Sequence, residues 1–151
     1  MQQEMGPLVG QHAPDFSLQD EEHQSTSLKG IVGEKGLLIA FIHGTWCSYC
    51  VQTLYRLRRH SAFYDQAGIR LAVIAIDPPP ALRVFKMSAN PPLAYTLLAD
   101  EDEQVHKLYG LEHIGAYIVI DAAGIVRSKF LDLDHHGWPG HARVLEAFTV
   151  L

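Results

Sequence analysis

Cys47 and Cys50 lie three positions apart in the stretch "FIHGTWCSYC" and are the only two cysteines of the chain. Trp46 precedes the first, Ser48 and Tyr49 separate the pair, and His43 and Thr45 lie just upstream. A thiol is a nucleophile only as its thiolate, so the surroundings decide what such a pair can do. The candidates are a redox-active dithiol, a structural staple, part of a metal site, or two inert buried thiols. A loop this short yields little loop-closure stabilisation, which weakens the staple. Zinc needs several ligands, and with no further cysteine only His43 is close in sequence, which weakens the metal site. Covalent haem attachment needs histidine after the second cysteine, where Val51 stands. No organic cofactor and no metal is therefore expected, and the dithiol is the leading reading.

The flanking elements favour that chemistry. "GLLIAFI" (36–42) is a continuous apolar run between Gly36 and Gly44, the pattern of a strand buried on both faces. Residues 51–68 predict a helix, with Val51, Leu54, Tyr55, Leu57 and Phe63 as its apolar stripe and Gly68 as its C-terminal stop. The pair thus sits where a buried strand turns into a helix, an edge where α/β sheets place their sites. With the helix starting near Trp46 or Cys47, both cysteines fall in its first turn and on one face, close enough for a disulfide. Free N–H groups and the positive end of the helix dipole favour a thiolate there. Cys47, nearer the helix start and beside Trp46, is the better exposed nucleophile; Cys50, one turn inward, is the resolving partner. Thr45 and Ser48 offer hydroxyls, His43 and Tyr49 could handle protons, and Trp46 could pack over the site and shape docking.

The rest of the chain completes a mixed α/β pattern. Short extended pieces are expected at 13–20 and in "STSLKG", then a buried strand at 69–77, a helix in "ALRVFKMSAN" and a short strand at 94–100. An acidic-started helix over 100–110, a hairpin of 116–121 and 125–133 around "DAAG", the loop "DHHGWPG" and a C-terminal helix follow. Strand–helix–strand units imply parallel pairing, and the last hairpin adds antiparallel strands. With 151 residues, 48% hydrophobic and 19% charged, the expectation is a single domain over 1–151. A net charge of −5 argues against nucleic acid as a partner, and Arg56, Arg58 and Arg59 read as the exposed face of one helix. The first 28 residues carry no Lys or Arg, and no apolar run approaches a spanning length. A soluble, cytoplasmic chain with no membrane partner is expected.

These blocks resemble a known family. Trp46-Cys47-Ser48-Tyr49-Cys50 after a buried strand is similar to the W-C-x-x-C site of thioredoxin-fold proteins. "GQHAPDFSL" (10–18) resembles the G-x-x-A-P-D-F-x-L opening of the alkyl hydroperoxide reductase/thiol-specific antioxidant, or peroxiredoxin-like, redoxins. "LAVIAIDPPPALRVF", "YTLLADEDEQVHKLYGL" and "AYIVIDAAGIVR" follow that family's later blocks in order. The resemblance implies a thioredoxin-like fold with helices on both faces of a mixed central sheet and an N-terminal β extension. It implies thiol redox chemistry on a disulfide or peroxide substrate, with an external dithiol as electron donor.

The departures from the family are specific. Aligned to peroxiredoxins, the peroxidatic cysteine falls on Cys50, their supporting Thr on Cys47, their Pro on His43 and their late Arg on Gly115. The thioredoxin cis-proline falls on Gly115 as well, so a trans bond is expected there. The buried acid of thioredoxins falls on Phe41. The reading is a Cys47/Cys50 dithiol oxidoreductase; the alternatives are a peroxidase using Cys50 and a non-catalytic redox-sensing or metal-binding module. Two further readings concern other residues. His135, His136 and His141 could form a metal site or only a solvated loop. Arg127 could reach the thiolate and replace the missing arginine, against the ordinary surface role of a strand arginine.

Overall fold

A computed structural model of the chain describes residues 5–132 and 140–149. Those residues build one seven-stranded sheet in the order β2-β1-β5-β4-β3-β6-β7. β1 (Ser17–Asp20) and β2 (Ser25–Ser27) form a hairpin that extends the sheet beyond β5 (Thr96–Ala99). β3 (Gly36–Ile42) and β4 (Ile69–Ala75) run parallel, as do β4 and β5. β6 (Gly115–Ile120) pairs antiparallel with β3, and β7 (Val126–Asp132) antiparallel with β6. This is the expected thioredoxin-like α/β arrangement with its N-terminal β extension.

β3 is the axis of the molecule, because all seven of its residues are buried. Leu38, Ala40 and Ile42 point into one core with α2 (Ser48–Gln66) and α5 (His141–Thr149); Leu37, Ile39 and Phe41 point into the other, against α1 (Leu28–Ile31) and α4 (Gln104–Leu108). Each such aliphatic side chain contributes about 1.5–3 kcal/mol by leaving water. Gly36 starts β3 at φ +128, and a Cβ there would lie 2.5 Å from the Ile120 carbonyl oxygen. Only glycine permits that approach. α3 (Pro79–Ser88) begins with proline in its first turn, as its sequence implies, and is tied to the turn between β1 and β2 by ion pairs from Lys86 to Glu21 and from Arg83 to Glu22.

Several expectations are corrected. "STSLKG" is not wholly extended: β2 ends at Ser27, whose hydroxyl accepts from the Gly30 N–H and caps the single turn of α1. β1 begins only at Ser17; residues 10–13 run alongside the β6–β7 turn, where the Ala13 N–H donates to the Gly124 carbonyl. α4 begins at Gln104, and the acid that caps it is Asp100, which accepts from the Val105 and His106 N–H groups. The buried stripe of α2 is Cys50, Thr53, Leu54, Leu57 and Tyr64, while Tyr55 and Phe63 are exposed. Arg59 is exposed, but Arg56 and Arg58 are half-buried. "DHHGWPG", with His135 and His136, lies outside the described residues. No helix among the described residues is long and apolar enough to cross a membrane.

Candidate active site

The cysteines occupy the first turn of α2, as their spacing implies. Cys47 is the N-cap residue, and its Sγ accepts a hydrogen bond from the Cys50 N–H at 3.4 Å. An N-cap group satisfies one of the free donors at a helix start, and here a sulfur takes the place usually held by an oxygen. The same contact holds the two residues in one turn, sulfur toward backbone. Cys47 is half-buried, whereas Cys50 is only 5% exposed. Burial pushes the Cys50 thiol up to about 11, although hydrogen bonds from the Gly44 and His43 backbone work against it.

The loop before the helix is held from below. The Thr45 N–H donates to Asp77 Oδ2 at 2.8 Å, and the Ile76 N–H donates to the His43 carbonyl at 2.8 Å. The Cys47 N–H donates to the Gly44 carbonyl at 3.2 Å. Asp77 is buried just after β4, so neighbouring parallel strands jointly fix the approach to the cysteines. Thr45 therefore serves through its backbone.

Trp46 is 69% exposed and lies flat over this loop. Its ring is nearly parallel to that of His43, 8° apart in plane with centroids 6.3 Å apart. The fit depends on Gly44, where a Cβ would fall 2.2 Å from Trp46 Nε1. The His43 Nε2 is buried without a hydrogen-bond partner among the described residues. Ser48 is exposed on the first helical turn.

A cavity of about 50 Å³ opens beside the sulfurs, lined by Ile42, His43, Cys47, Tyr49, Cys50, Gly115 and Asp132. The structure thus gathers His43, Tyr49 and Gly115 around the pair. The Ile114–Gly115 bond is trans, since the cis bond among the described residues is Asn90–Pro91. Gly115 supplies no side chain, so neither an arginine nor a proline fills this wall. Asp132 was missed in the sequence. It ends β7 directly opposite Gly115, is only 8% exposed, and lines the cavity. A polar residue inside the otherwise apolar "FLDL" was its only sequence signal.

Other candidates fall away. Arg127 does not reach the thiols; its Nε donates to Asp121 Oδ2 at 2.7 Å beside the hairpin turn. Arg127 and hydrogen bonds from the Ile125 and Ala123 backbone outweigh the burial of Asp121 and hold its carboxyl below the usual range. His141 faces inward, with Nδ1 2.7 Å from the Tyr64 hydroxyl. The group of three ligand-type side chains found among the described residues, Glu103, Glu112 and His113, includes neither cysteine. Grooves of about 510 and 480 Å³ elsewhere hold no cysteine.

The chain is similar to known proteins over most of its length. A family model described as the AhpC/TSA family matches residues 9–129. Alkyl hydroperoxide reductase E of Mycobacterium tuberculosis is 29% identical over 127 residues, covering 79% of this chain and 82% of that protein. Thiol-disulfide oxidoreductase ResA of Geobacillus thermodenitrificans is 30% identical over 122 residues, covering 79% of this chain and 67% of that protein. The crystal structure of peroxidoxin BcpB from Mycobacterium tuberculosis superposes with a TM-score of 0.81 at 16% identity, covering 98% of this chain and 99% of that one.

Proposed function

The chain belongs to the AhpC/TSA family of thiol-dependent oxidoreductases, and from that premise we propose that Cys47 and Cys50 work as a redox-active dithiol acting chiefly on disulfides. The Cys47 thiolate attacks one sulfur of the substrate disulfide, and the other sulfur leaves as a thiolate. Cys50 then attacks the Cys47 sulfur of the mixed disulfide and releases the second thiolate. The substrate gains an electron pair, and the protein is left with a Cys47–Cys50 disulfide. An external dithiol donor returns the pair to thiols by the same exchange. The reading places the chain as a single domain in a reducing compartment such as the cytoplasm, where a close cysteine pair turns over rather than persisting as a staple.

The observation that carries this reading is the asymmetry of the pair: a half-exposed Cys47 capping the helix, and a buried Cys50 whose N–H donates to it. Peroxide is the second substrate, favoured by the match to alkyl hydroperoxide reductase E. There Cys47 breaks the O–O bond, becomes a sulfenic acid and condenses with Cys50 to release water. Cys50 is a poor peroxidatic residue in its own right, because a thiol held near 11 is almost entirely protonated at neutral pH.

Single-cysteine variants test the assignment on an oxidised peptide and on hydrogen peroxide. Cys47→Ser abolishes turnover of both. Cys50→Ser traps a mixed disulfide on Cys47, seen by mass spectrometry. Alkylation at neutral pH marks Cys47 first, and Cys50 follows only in strong alkali. Turnover surviving Cys47→Ser, or first labelling at Cys50, overturns the assignment.

A further inference from the structure

The peptide unit that joins Ile42 to His43 is engaged at both of its polar atoms. Its carbonyl oxygen accepts from His106 Nε2 at 3.1 Å. Its nitrogen concerns Cys50. Burial is the largest influence on that thiol, and backbone hydrogen bonds from Gly44 and His43 act in the opposite sense. A bond that favours the thiolate must come from a donor, and the backbone donor of His43 is its N–H. In a planar trans peptide that N–H belongs to the same rigid unit as the Ile42 carbonyl and points the opposite way. One peptide thus carries His106 on its oxygen and faces the Cys50 sulfur with its nitrogen.

The ring of His106 has a single way to sit. Its Nδ1 lies 2.6 Å from Asp100 Oδ2, and both side chains are fully buried. Phe41 meets the ring edge-on, with centroids 5.1 Å apart. These contacts turn the Nε2 edge toward Ile42. Phe41 and Cys50 belong to the cores on opposite faces of the sheet, so the influence of His106 reaches Cys50 through the end of β3. Asp100 accepts from the Val105 and His106 N–H groups by itself, so the start of α4 does not require an imidazole. A hydrogen bond on a carbonyl oxygen polarises the peptide and strengthens its N–H as a donor, by roughly a tenth to a third.

We infer that His106 is a positioning residue for Cys50: through the Ile42 carbonyl it fixes and polarises the His43 N–H that stabilises the Cys50 thiolate before that thiolate attacks Cys47. The inference rests on the dithiol reading above. His106 acts through the peptide and keeps its Nε2 hydrogen throughout. The Cys50 proton passes to solvent before the attack. The thiolate's electron pair then forms the bond to Cys47 Sγ, and the bond from Cys47 to the substrate sulfur breaks with its pair on that sulfur.

An aromatic disulfide, dithiobis-nitrobenzoate, separates the two steps in the full chain. The first coloured thiolate appears when Cys47 forms its adduct, and the second when Cys50 displaces it. Two substitutions share the loss of the ring and differ in what they keep. The amide nitrogen of His106→Gln reaches about as far as Nε2 and can still donate to Ile42, whereas that of His106→Asn reaches only as far as Nδ1. A bond to a charged group changes the thiolate population by about tenfold or more. The greater nucleophilicity of a weaker acid returns about half of that on a logarithmic scale. His106→Asn should therefore slow the second release about threefold to tenfold across pH 7 to 9, and His106→Gln should stay within about twofold of wild type. The titratable side chains that line the cavity with Cys50, namely His43, Cys47, Tyr49 and Asp132, are unaltered in both. A merely structural lesion gives the opposite sign, since a loosened loop admits water, relieves the burial of Cys50 and speeds its attack. A second release in His106→Asn slowed by less than about threefold, or accelerated, overturns the inference. So does a glutamine variant as slow as the asparagine one, or a first release slowed as much as the second.

The wild-type protein supplies a reading that needs no variant to fold. By nuclear magnetic resonance the His106 Nε2 proton should be visible and slow to exchange, and the His43 amide proton should move when the pair is oxidised to its disulfide. An Nε2 proton lost to exchange, or an unmoved His43 amide, overturns the inference. Wild-type protein that forms the adduct and never releases the second thiolate overturns the dithiol reading itself, a result distinct from a defect confined to the His106 variants.

Discussion

The ring of His106 bridges the two halves of the sheet's active edge: Nδ1 lies 2.6 Å from Asp100 Oδ2, and Nε2 lies 3.1 Å from the Ile42 carbonyl oxygen. A carbonyl can only accept, so Nε2 carries a hydrogen and donates it. Both side chains are fully buried. The pair therefore anchors the end of β3, one residue before His43, to the start of α4.

Removing one partner of this pair leaves the other buried and short of one hydrogen bond, since Asp100 keeps the Val105 and His106 N–H groups and His106 keeps the Ile42 carbonyl. Asp100→Asn or His106→Leu should each lower stability by about 1–3 kcal/mol, measured by urea unfolding at pH 7. Burial raises the Asp100 carboxyl, but the bond to His106 and the Val105 and His106 N–H groups outweigh it and hold it below the usual range. A carboxyl lowered in the fold contributes stability that is complete above its unfolded value of about 4 and is lost as pH falls through the folded one. Asp100→Asn should abolish that part of the acid slope.

His141 should produce a second, separate acid sensitivity. Its pKa is lowered to about 4 by burial first, then by the charges of His60 and Arg56. The unfolded ring binds its proton near 6.5, so stability is complete above that value and declines as pH falls toward the folded one. A His141→Gln variant should show a flatter change of melting temperature between pH 6.5 and about 4 than wild type. Equal slopes would show that His141 is not responsible.

Gly44→Ala probes the Trp46 cover. The added Cβ would stand 2.2 Å from Trp46 Nε1, so the indole must swing away. Because the ring is mostly exposed, the stability cost should stay within about 1 kcal/mol. Trp46 fluorescence should shift, and turnover of a peptide disulfide should fall more than turnover of hydrogen peroxide, which needs no docking surface. Equal losses on both substrates would deny Trp46 a role in substrate docking.

Much of this was legible because it was local. The seven apolar residues of β3, the cysteine spacing and the start of α2 all lie in one stretch, and local pattern reads them. Asp132 was hidden by a bulge. The β6–β7 register slips between Val119 and Ile120, where Arg127 is the extra residue. A one-residue slip turns every later side chain to the other face. Counting back from "DAAG" without the bulge sets Leu131 opposite Gly115 and hides the carboxyl group. The bond from Thr45 to Asp77 spans 32 positions of sequence, and no local pattern announces it. The α2 stripe was misplaced because polar Thr53 is buried while apolar Phe63 is exposed. Single-turn α1 is too short for periodicity to detect.

The sulfur cap on α2 has a consequence for what a partner can perceive. Both sulfurs already share one helical turn, so closing the disulfide needs no melting of the helix and no relocation of a distant residue. The change on oxidation is then expected to stay within a few residues of the pair. Among the described residues Trp46, next in sequence to Cys47 and mostly exposed, is a large side chain placed to report the change. Discrimination between the charged and spent forms then falls first to that indole.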